Sequence, residues 1–254
     1  MQFFISHLVP DTYYINLLTT YDIGIESIHF SVSSVLDQCP SAIAPYKNSL
    51  EPYISKRPLI LHGPFFDLSP ASFDSQIKAV TLDRFESVYQ IAKKIHARKI
   101  VFHTGFIPHV FYVEGWLQNS ILFWQEFLAK KDSKITICIE NVFESDYTPM
   151  LMLLNKVDHP AFKCCLDVGH INAYSSHPLS EWMNALEDHI SHIHLHNNNG
   201  QKDEHMGLAH GTLNIASCLK RMESLPLNPT VTLEIYDINQ LTTSLETLKN
   251  MHFL

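Results

Sequence analysis

The amino-acid sequence predicts an α/β protein that folds as a (β/α)₈ barrel, with residues 1–254 forming a single domain. Apolar, β-branched segments recur along the chain, helical segments separate them, and no linker or low-complexity stretch interrupts the alternation. Such an alternation over about 250 residues is typical of a parallel barrel. A doubly wound open sheet is the competing fold, but it normally carries a GxGxxG motif in its first turn. The sequence contains no such motif, so the barrel is favoured.

Eight strands and six helices account for the alternation. The strands are predicted at residues 3–6, 25–30, 59–62, 100–103, 135–140, 161–167, 190–196 and 230–234. The helices are predicted at residues 13–20, 81–96, 116–130, 179–189, 216–222 and 241–251. The helix at residues 81–96 is the clearest, because its apolar side chains recur at helical spacing on one face. Residues 31–48, which follow the second strand, are predicted to form a loop.

Metal-binding residue types close most of the predicted strands. The strands that end on an acid or a histidine do so at His62, His103, Glu140, Asp167, His196 and Glu234. Side chains alternate between the two faces of a strand, so His192, His194 and His196 face away from Ile193 and Leu195. The branched apolar side chains are expected to face the surrounding helices, which leaves the polar set inside the barrel. These strand ends then gather at the mouth, where barrel enzymes perform their chemistry.

Composition and charge exclude several classes of function. The chain carries a formal net charge of −8 and only four arginines, whereas a protein that binds long nucleic acid usually presents a basic face. Its apolar runs are much shorter than the roughly 20 residues that span a bilayer, so we expect no membrane partner. The five cysteines include no CxxC pair, and the first residues lack the basic region of a secretory signal. These features predict a cytoplasmic protein in a reducing compartment.

The acidic strand ends predict a bound cation. Glu140, Asp167 and Glu234 would converge with His194 at the mouth, and buried carboxylates are costly unless they are paired or coordinated. Oxygen and nitrogen ligands of this kind suit zinc or manganese. The sequence therefore predicts a divalent metal site inside the barrel.

Two short motifs extend this set of ligands. In the LDVGH motif at residues 166–170, a loop directly after the strand brings back His170. The Gly- and Asn-rich loop at residues 197–211 presents Asp203 and His205. The D-x-H spacing lets one loop offer two ligands to the same ion.

At this point the sequence resembles the xylose isomerase-like TIM-barrel superfamily, and within it the endonuclease IV branch (AP endonuclease family 2). The resemblance extends over essentially the whole chain. It is carried by the motifs HGPF at His62, FHTG at His103, IEN at Glu140, LDVGH at Asp167, HLHNNNG at His194, DEH at Asp203 and LEI at Glu234.

The resemblance implies three zinc ions. It assigns the first ion to His62, His103 and Glu140, and it makes Glu140 a bridge to the second ion. Asp167, His194 and Glu234 would complete the second site. The third ion would be held by His170, Asp203 and His205.

A site of this kind is expected to hydrolyse a phosphoester. Four carboxylates supply about −4 when ionised, against +6 from three divalent cations, which leaves a positive pocket in an acidic protein. The expected substrate is a small phosphorylated or nucleotide-like molecule. Glu140 and Glu234 are the predicted catalytic residues.

Two other activities remain open. Sugar or keto-acid isomerases and epimerases of the sister branch use a single metal held by the equivalents of Glu140, Asp167, His194 and Glu234, and their two glutamates shuttle the substrate proton. Abasic-site DNA cleavage is the third candidate, although the predicted loop at residues 31–48 offers only Lys47 as a basic residue. A binding protein without catalytic activity is the least favoured alternative, because so many ionisable groups converge.

Aromatic residues and further histidines near the mouth complete the predicted site. The aromatic set consists of Phe65, Phe66, Phe106, Phe111, Tyr112 and Trp116. About half of it is expected to pack helices on the barrel, and the rest to line a pocket for a compact organic group. His7 and His29 are interpreted as structural. His196 and His210 border the site and are candidate substrate contacts.

Overall fold

The computed structural model describes residues 1–51 and 53–254, and its eight parallel strands form a closed barrel. The strands follow one another around the barrel in sequence order, and the last pairs with the first. They are β1 (Phe3–Ser6), β2 (Gly24–Ser27), β3 (Leu59–His62), β4 (Lys99–His103), β5 (Thr136–Glu140), β6 (Phe162–Asp167), β7 (Ile190–Leu195) and β8 (Thr230–Leu233). The predicted fold class is confirmed.

Strand register sets residues of the predicted ligand set side by side. In β4 and β5, His103 lies opposite Glu140, and in β6 and β7, Asp167 lies opposite His194. Neighbouring strands are about 4.8 Å apart. The backbone therefore brings these residue types together at the C-terminal end of the barrel before any side-chain conformation is considered.

Ten α-helices cover the outside of the barrel in the described part of the chain. They are α1 (Asp11–Thr20), α2 (Ser33–Leu36), α3 (Ile43–Ser49), α4 (Ser75–Ile95), α5 (Val113–Leu128), α6 (Thr148–Val157), α7 (Val168–Tyr174), α8 (Leu179–Ala185), α9 (Ile215–Glu223) and α10 (Ile238–Asn250). Among the described residues, no helix combines the length and the apolar character that crossing a bilayer requires.

Capping side chains explain where the long helices begin. The side chain of Asp74 accepts hydrogen bonds from the backbone N–H groups of Gln76 and Ile77. Helix α4 therefore starts six residues before the predicted position 81, because the cap satisfies N–H groups that have no partner within the helix. Asp237 caps α10 in the same way.

Several predicted boundaries are wrong, each for a local reason. Strand β2 ends at Ser27 rather than at residue 30, because Ile28 adopts a helical conformation and a 3₁₀ turn, His29–Ser31, follows it. The predicted loop at residues 31–48 contains α2 and most of α3. Helices α6 and α7 were not predicted, and α8 ends at Ala185 instead of residue 189.

Two apolar regions hold the barrel together. The larger lies between the strands and the helices, where the branched strand residues pack against α-helical side chains as predicted. The smaller, called the barrel plug below, fills the interior of the barrel with Phe4, Ile60, Val101, Cys138 and Cys165. These five side chains are almost completely buried, so the interior is solid on the N-terminal side of the mouth.

Candidate metal centre

A cavity of about 540 Å³ opens at the C-terminal mouth of the barrel. Seven residues of the predicted ligand set lie on its walls: His62, His103, Glu140, His170, Asp203, His205 and Glu234. Asp167 and His194 lie behind these walls and are fully buried. No lysine or arginine is found among the described residues that line the cavity.

The first cluster joins two histidines to one carboxylate oxygen. Oε2 of Glu140 lies 3.3 Å from Nε2 of His62 and 3.5 Å from Nε2 of His103. Zinc–ligand distances of about 2.0–2.1 Å place tetrahedral ligands roughly 3.3 Å from one another. Nδ1 of His62 is 2.9 Å from the carbonyl oxygen of Gly63 and donates to it, which leaves Nε2 free to bind a cation.

The second cluster surrounds Nδ1 of His194. This nitrogen lies 3.2 Å from Oε1 of Glu140, 3.5 Å from Oε2 of Glu234 and 3.7 Å from Oδ2 of Asp167. The two oxygens of Glu140 therefore face different clusters, one oxygen each. Such an arrangement allows Glu140 to bridge two ions, as the resemblance implies.

The third cluster is built on Asp203. Its Oδ2 lies 3.2 Å from Nε2 of His170 and 3.0 Å from Nε2 of His205. The other ring nitrogen of each histidine lies against a backbone carbonyl, at 2.8 Å from Asn141 for His170 and at 2.9 Å from Glu234 for His205. A hydrogen bond of this kind sets the tautomer and the orientation of a metal-binding imidazole.

Glu26 on β2 supports the second cluster from inside the barrel and was missed in the sequence. Its Oε1 lies 3.0 Å from Nε2 of His194, and its Oε2 lies 2.9 Å from Nε2 of His192 and 2.5 Å from Oγ1 of Thr232. All four side chains are fully buried. Because Nε2 of His194 donates to Glu26, Nδ1 carries the lone pair that faces Glu140.

Burial and neighbouring charges shift the pKa values of the clustered groups in opposite directions. Burial would raise the pKa of Glu140, but His194 and His103 hold it well below the ordinary range. Burial would lower the pKa of His205, but the hydrogen bond to Asp203 and the charge of Glu234 raise it to about 9. Burial lowers the pKa of His103 to about 3, because nearby Glu140 offsets only part of that effect. The Glu140 carboxylate is therefore charged and attracts positive charge into the cavity.

Buried polar atoms without partners test whether these residues fit a cation. Oε2 of Glu140, Nδ1 of His194 and Oδ1 of Asp203 are buried, and none of them finds a hydrogen-bond partner anywhere in residues 1–51 and 53–254. Unpaired buried polar atoms are costly. Nδ1 of His194 comes within 3.2 Å of a carboxylate oxygen and still makes no hydrogen bond. Close ligand atoms that do not pair with one another are the arrangement a shared ion requires, so the residues fit divalent metal.

Comparison with known proteins assigns the family. The family described as the xylose isomerase-like TIM barrel matches residues 22–251. The chain belongs to this family.

Three proteins that are similar to this chain in sequence or in fold carry different names. The uncharacterized protein MJ1311 of Methanocaldococcus jannaschii is 28% identical over 203 residues, which cover 75% of this chain and 69% of that protein. A probable endonuclease 4 of Mycoplasmopsis pulmonis is 23% identical over 199 residues, covering 72% of this chain and 70% of that protein. A D-tagatose 3-epimerase-like protein of known structure superposes with a TM-score of 0.83, at 23% identity and covering 98% of this chain and 96% of that chain. A protein named as a probable endonuclease thus resembles this chain in sequence, and one named as epimerase-like resembles it in fold.

The nine predicted ligands of this xylose isomerase-like chain all come together, but two neighbouring histidines do not behave as expected. His196 is fully buried and does not line the cavity, so the predicted substrate contact is wrong. Its Nε2 lies 3.2 Å from Oδ1 and from Oδ2 of Asp167, and its ring stacks on His205. A Cβ on Gly169 would come within 2.0 Å of the His196 ring, which explains the glycine of the LDVGH motif. His210 is exposed and belongs to none of the clusters.

His7 and His29 lie outside the clusters, in agreement with their structural interpretation. His7 pairs with Asp11 at 3.0 Å and stacks on Tyr14, while the ring of His29 stacks on Tyr46. Both contacts fix loops close to the mouth. Neither histidine lines the cavity.

Proposed function

We propose that the chain is a metal-dependent hydrolase of phosphoesters that holds up to three divalent ions, zinc in the first place and manganese as the alternative. The observation that carries this proposal is the presence of three ligand clusters around one cavity, two of them joined through Glu140. A single-metal enzyme needs only the second cluster. Nothing in such a mechanism accounts for the ligand geometry at His62 and His103 or at Asp203 and His205.

Each of the three metal positions has its own set of residues. The first ion would be held by His62, His103 and Glu140. The second would be held by Glu140, Asp167, His194 and Glu234. The third would be held by His170, Asp203 and His205. When bound, such ions polarise a phosphoryl oxygen and lower the pKa of water. Glu140 would contribute one oxygen to the first position and one to the second. Glu234 lies on the cavity wall, where burial raises its pKa, so it can hold or release a proton next to the substrate.

Charge supports a phosphorylated substrate. Among the described residues that line the cavity, no lysine or arginine is available to neutralise a phosphate. About −4 from the four carboxylates against +6 from three ions leaves a positive site only when the ions are present. Hydrolysis would add water across the ester P–O bond and release an alcohol together with phosphate or a phosphomonoester.

Isomerisation or epimerisation of a sugar or keto acid is the second candidate. It is supported by Glu140 and Glu234, which approach Nδ1 of His194 at 3.2 Å and 3.5 Å and would move a proton across a substrate bound there. Cleavage of abasic DNA ranks third, because no lysine or arginine among the described residues lines the cavity to contact a DNA backbone.

Metal counting and activity separate these candidates. Protein purified without chelators is expected to contain about three ions per chain and to hydrolyse phosphomonoesters or phosphodiesters. About one ion per chain, combined with solvent deuterium entering a sugar, would overturn the hydrolase in favour of the isomerase. Incision of an abasic duplex at nanomolar enzyme would instead promote the third candidate.

We also propose that residues 1–254 act as one domain and that the protein works in the cytoplasm. The single closed barrel supports the first part. All five cysteines are free thiols, as in proteins of a reducing compartment.

A further inference from the structure

A second cavity, of about 500 Å³, lies next to the metal centre. The segments that follow β3 and β4 form it, and its walls are almost entirely apolar. The main contributors are Phe65, Phe66, Phe106, Ile107, Val110 and Phe111. Asp67 and His103 are the only ionisable side chains among the described residues that line it.

The two cavities share a wall. Phe65, Phe66, His103, Val142 and Phe143 line both of them. The ring of Phe65 stacks on His103 with a centroid separation of 4.3 Å, and the ring of Phe66 lies 4.2 Å from that of Phe65. The apolar cavity therefore adjoins the first metal cluster across these rings.

The apolar cavity is built by two anchored loops. Gly105 has a φ of +69°, and a Cβ at this position would meet Cδ of Pro70 at 3.1 Å, so the two loops are in close contact. The backbone N–H of Ser69 donates to Oγ1 of Thr81, and Nδ2 of Asn119 donates to the carbonyl of Ala71. These bonds tie the loop after β3 to α4 and α5, and the loop after β4 lies against it at Gly105. The cavity therefore does not have to form when a ligand arrives.

The side chains around the opening are apolar and yet face solvent. Phe66 is 70% exposed and Val110 is 67% exposed. Removing such surface from water is favourable, and a substrate group is well placed to do so because it is held at the adjoining metal centre. A nucleic acid strand does not fit this surface, because its phosphates would find no cation here.

We propose that this cavity binds the uncharged, apolar organic group of the substrate, so that the chain prefers phosphoesters of aromatic or other apolar alcohols. This inference rests on the proposed function, because the phosphoryl group is placed at the metal centre. Of the aromatic residues predicted near the mouth, the four phenylalanines line this cavity, whereas Tyr112 and Trp116 do not. Trp116 is fully buried against Phe106, and Tyr112 is exposed and lines neither cavity.

Binding of two phosphonates to zinc-loaded protein tests the inference without requiring turnover. Phenylphosphonate and methylphosphonate carry the same anionic group and differ only in the apolar part. Isothermal titration calorimetry is expected to show about 10- to 100-fold tighter binding of phenylphosphonate, the range expected for burying one aromatic group. Chelation of the zinc is expected to abolish the binding of both.

Variants locate the preference within the molecule. Val110→Ser changes a side chain that lines only the apolar cavity, and Phe66→Ala removes part of the shared wall. Both variants are expected to bring the two affinities several-fold closer while the zinc content stays constant. Tyr112→Ala is the matched control, because it removes an exposed aromatic residue from the same region, and it is expected to keep the full preference.

Each of the other outcomes contradicts a defined part of the account. Equal affinity for the two phosphonates would overturn the apolar subsite and leave the metal centre intact. Loss of binding to both, at full zinc content, would contradict the proposed function as well. A dimer in light scattering that Val110→Ser dissociates, without any phosphonate preference, would assign the surface to a contact between two copies of the chain and overturn the subsite.

Discussion

The barrel plug and the metal centre are built from the same strands and yet have opposite chemistry. On β3, β4, β5 and β6, an apolar plug residue is followed two positions later by a predicted ligand. The pairs are Ile60 and His62, Val101 and His103, Cys138 and Glu140, and Cys165 and Asp167. Residues two apart lie on one face of a strand, about 7 Å from each other. All of these side chains point into the barrel. Their position along the strand therefore decides whether they pack in the barrel plug or belong to the metal centre.

The barrel interior also differs in chemistry around its circumference. Below the mouth, β1 and β3 to β6 present the apolar plug residues, whereas β2, β7 and β8 present Glu26, His192 and Thr232. His192 and His194 thus share the buried carboxylate of Glu26 as their hydrogen-bond partner. The second cluster has a polar support, and the first cluster rests on apolar packing.

The largest effect is expected from the residue that joins two clusters. Glu140→Gln removes a carboxylate from the first and the second cluster, so the metal content should fall from about three ions per chain to about one. Phosphoester hydrolysis should fall by more than about 10³-fold, since losing one electrostatic stabiliser already costs about 10²–10³. Elemental analysis and a phosphodiester assay measure both.

Glu144→Gln is the matched control for that change. Glu144 is also buried near the mouth, but its side chain bonds to Thr104 and to the backbone N–H of Val142 and belongs to none of the clusters. It should retain the full metal content. A Glu140→Gln protein with three ions would show that the two clusters are not joined.

A change in the barrel plug should have a large effect of a different kind. Phe4→Ala leaves a cavity above Gly24, against which the Phe4 ring packs, and should lower the free energy of unfolding by about 3–5 kcal/mol. The number of bound ions should not change. Denaturant unfolding of this variant is compared with Phe73→Ala, which alters an exposed ring and should cost about 0.5 kcal/mol or less. Loss of metal from the folded Phe4 variant would contradict the separation of the two regions.

The polar support of His194 predicts an intermediate effect. Glu26→Gln should weaken the affinity of one ion by about 10- to 100-fold, the usual range when the partner of a metal-binding histidine is lost. Titration against a competing chelator resolves the three affinities. The ion at His62 and His103 should bind as before, and three unchanged affinities would show that Glu26 serves packing alone.

The smallest effect is expected outside both regions. Arg221 pairs with Glu187 at 2.9 Å on the surface, and exposed pairs of this kind contribute about 0–1 kcal/mol. Arg221→Ala should therefore shift the free energy of unfolding only slightly, and less at high salt. A loss of several kcal/mol would indicate that charge outside the barrel matters as much as charge within it.

Much of the fold and of the candidate site was predictable because both follow from local patterns. The steps from Cys138 to Glu140 and from Cys165 to Asp167 are visible in the sequence, and strand alternation places them in the barrel. Helix α2 was missed because the predicted strand at residues 25–30 concealed the turn at Ile28, and neither α2 nor α3 begins at a capping side chain.

The roles of Glu26 and His196 could not be predicted from local sequence patterns. The partners of Glu26 are His192 and His194, which lie 166 and 168 positions away, and nothing near Glu26 in sequence indicates them. His196 continues the alternation of His192 and His194 but lies just past the end of β7. Its ring therefore turns behind Asp167 instead of entering the cavity, a change that only the path of the chain after the strand reveals.

Anomalous diffraction at the zinc edge, on crystals grown without chelators, tests the central claim most directly. The account predicts three peaks in the mouth of the barrel: one at His62 and His103, one at His194, and one between His170 and His205. A single peak at His194, with none at either neighbouring cluster, would contradict the trinuclear hydrolase and favour the single-metal isomerase.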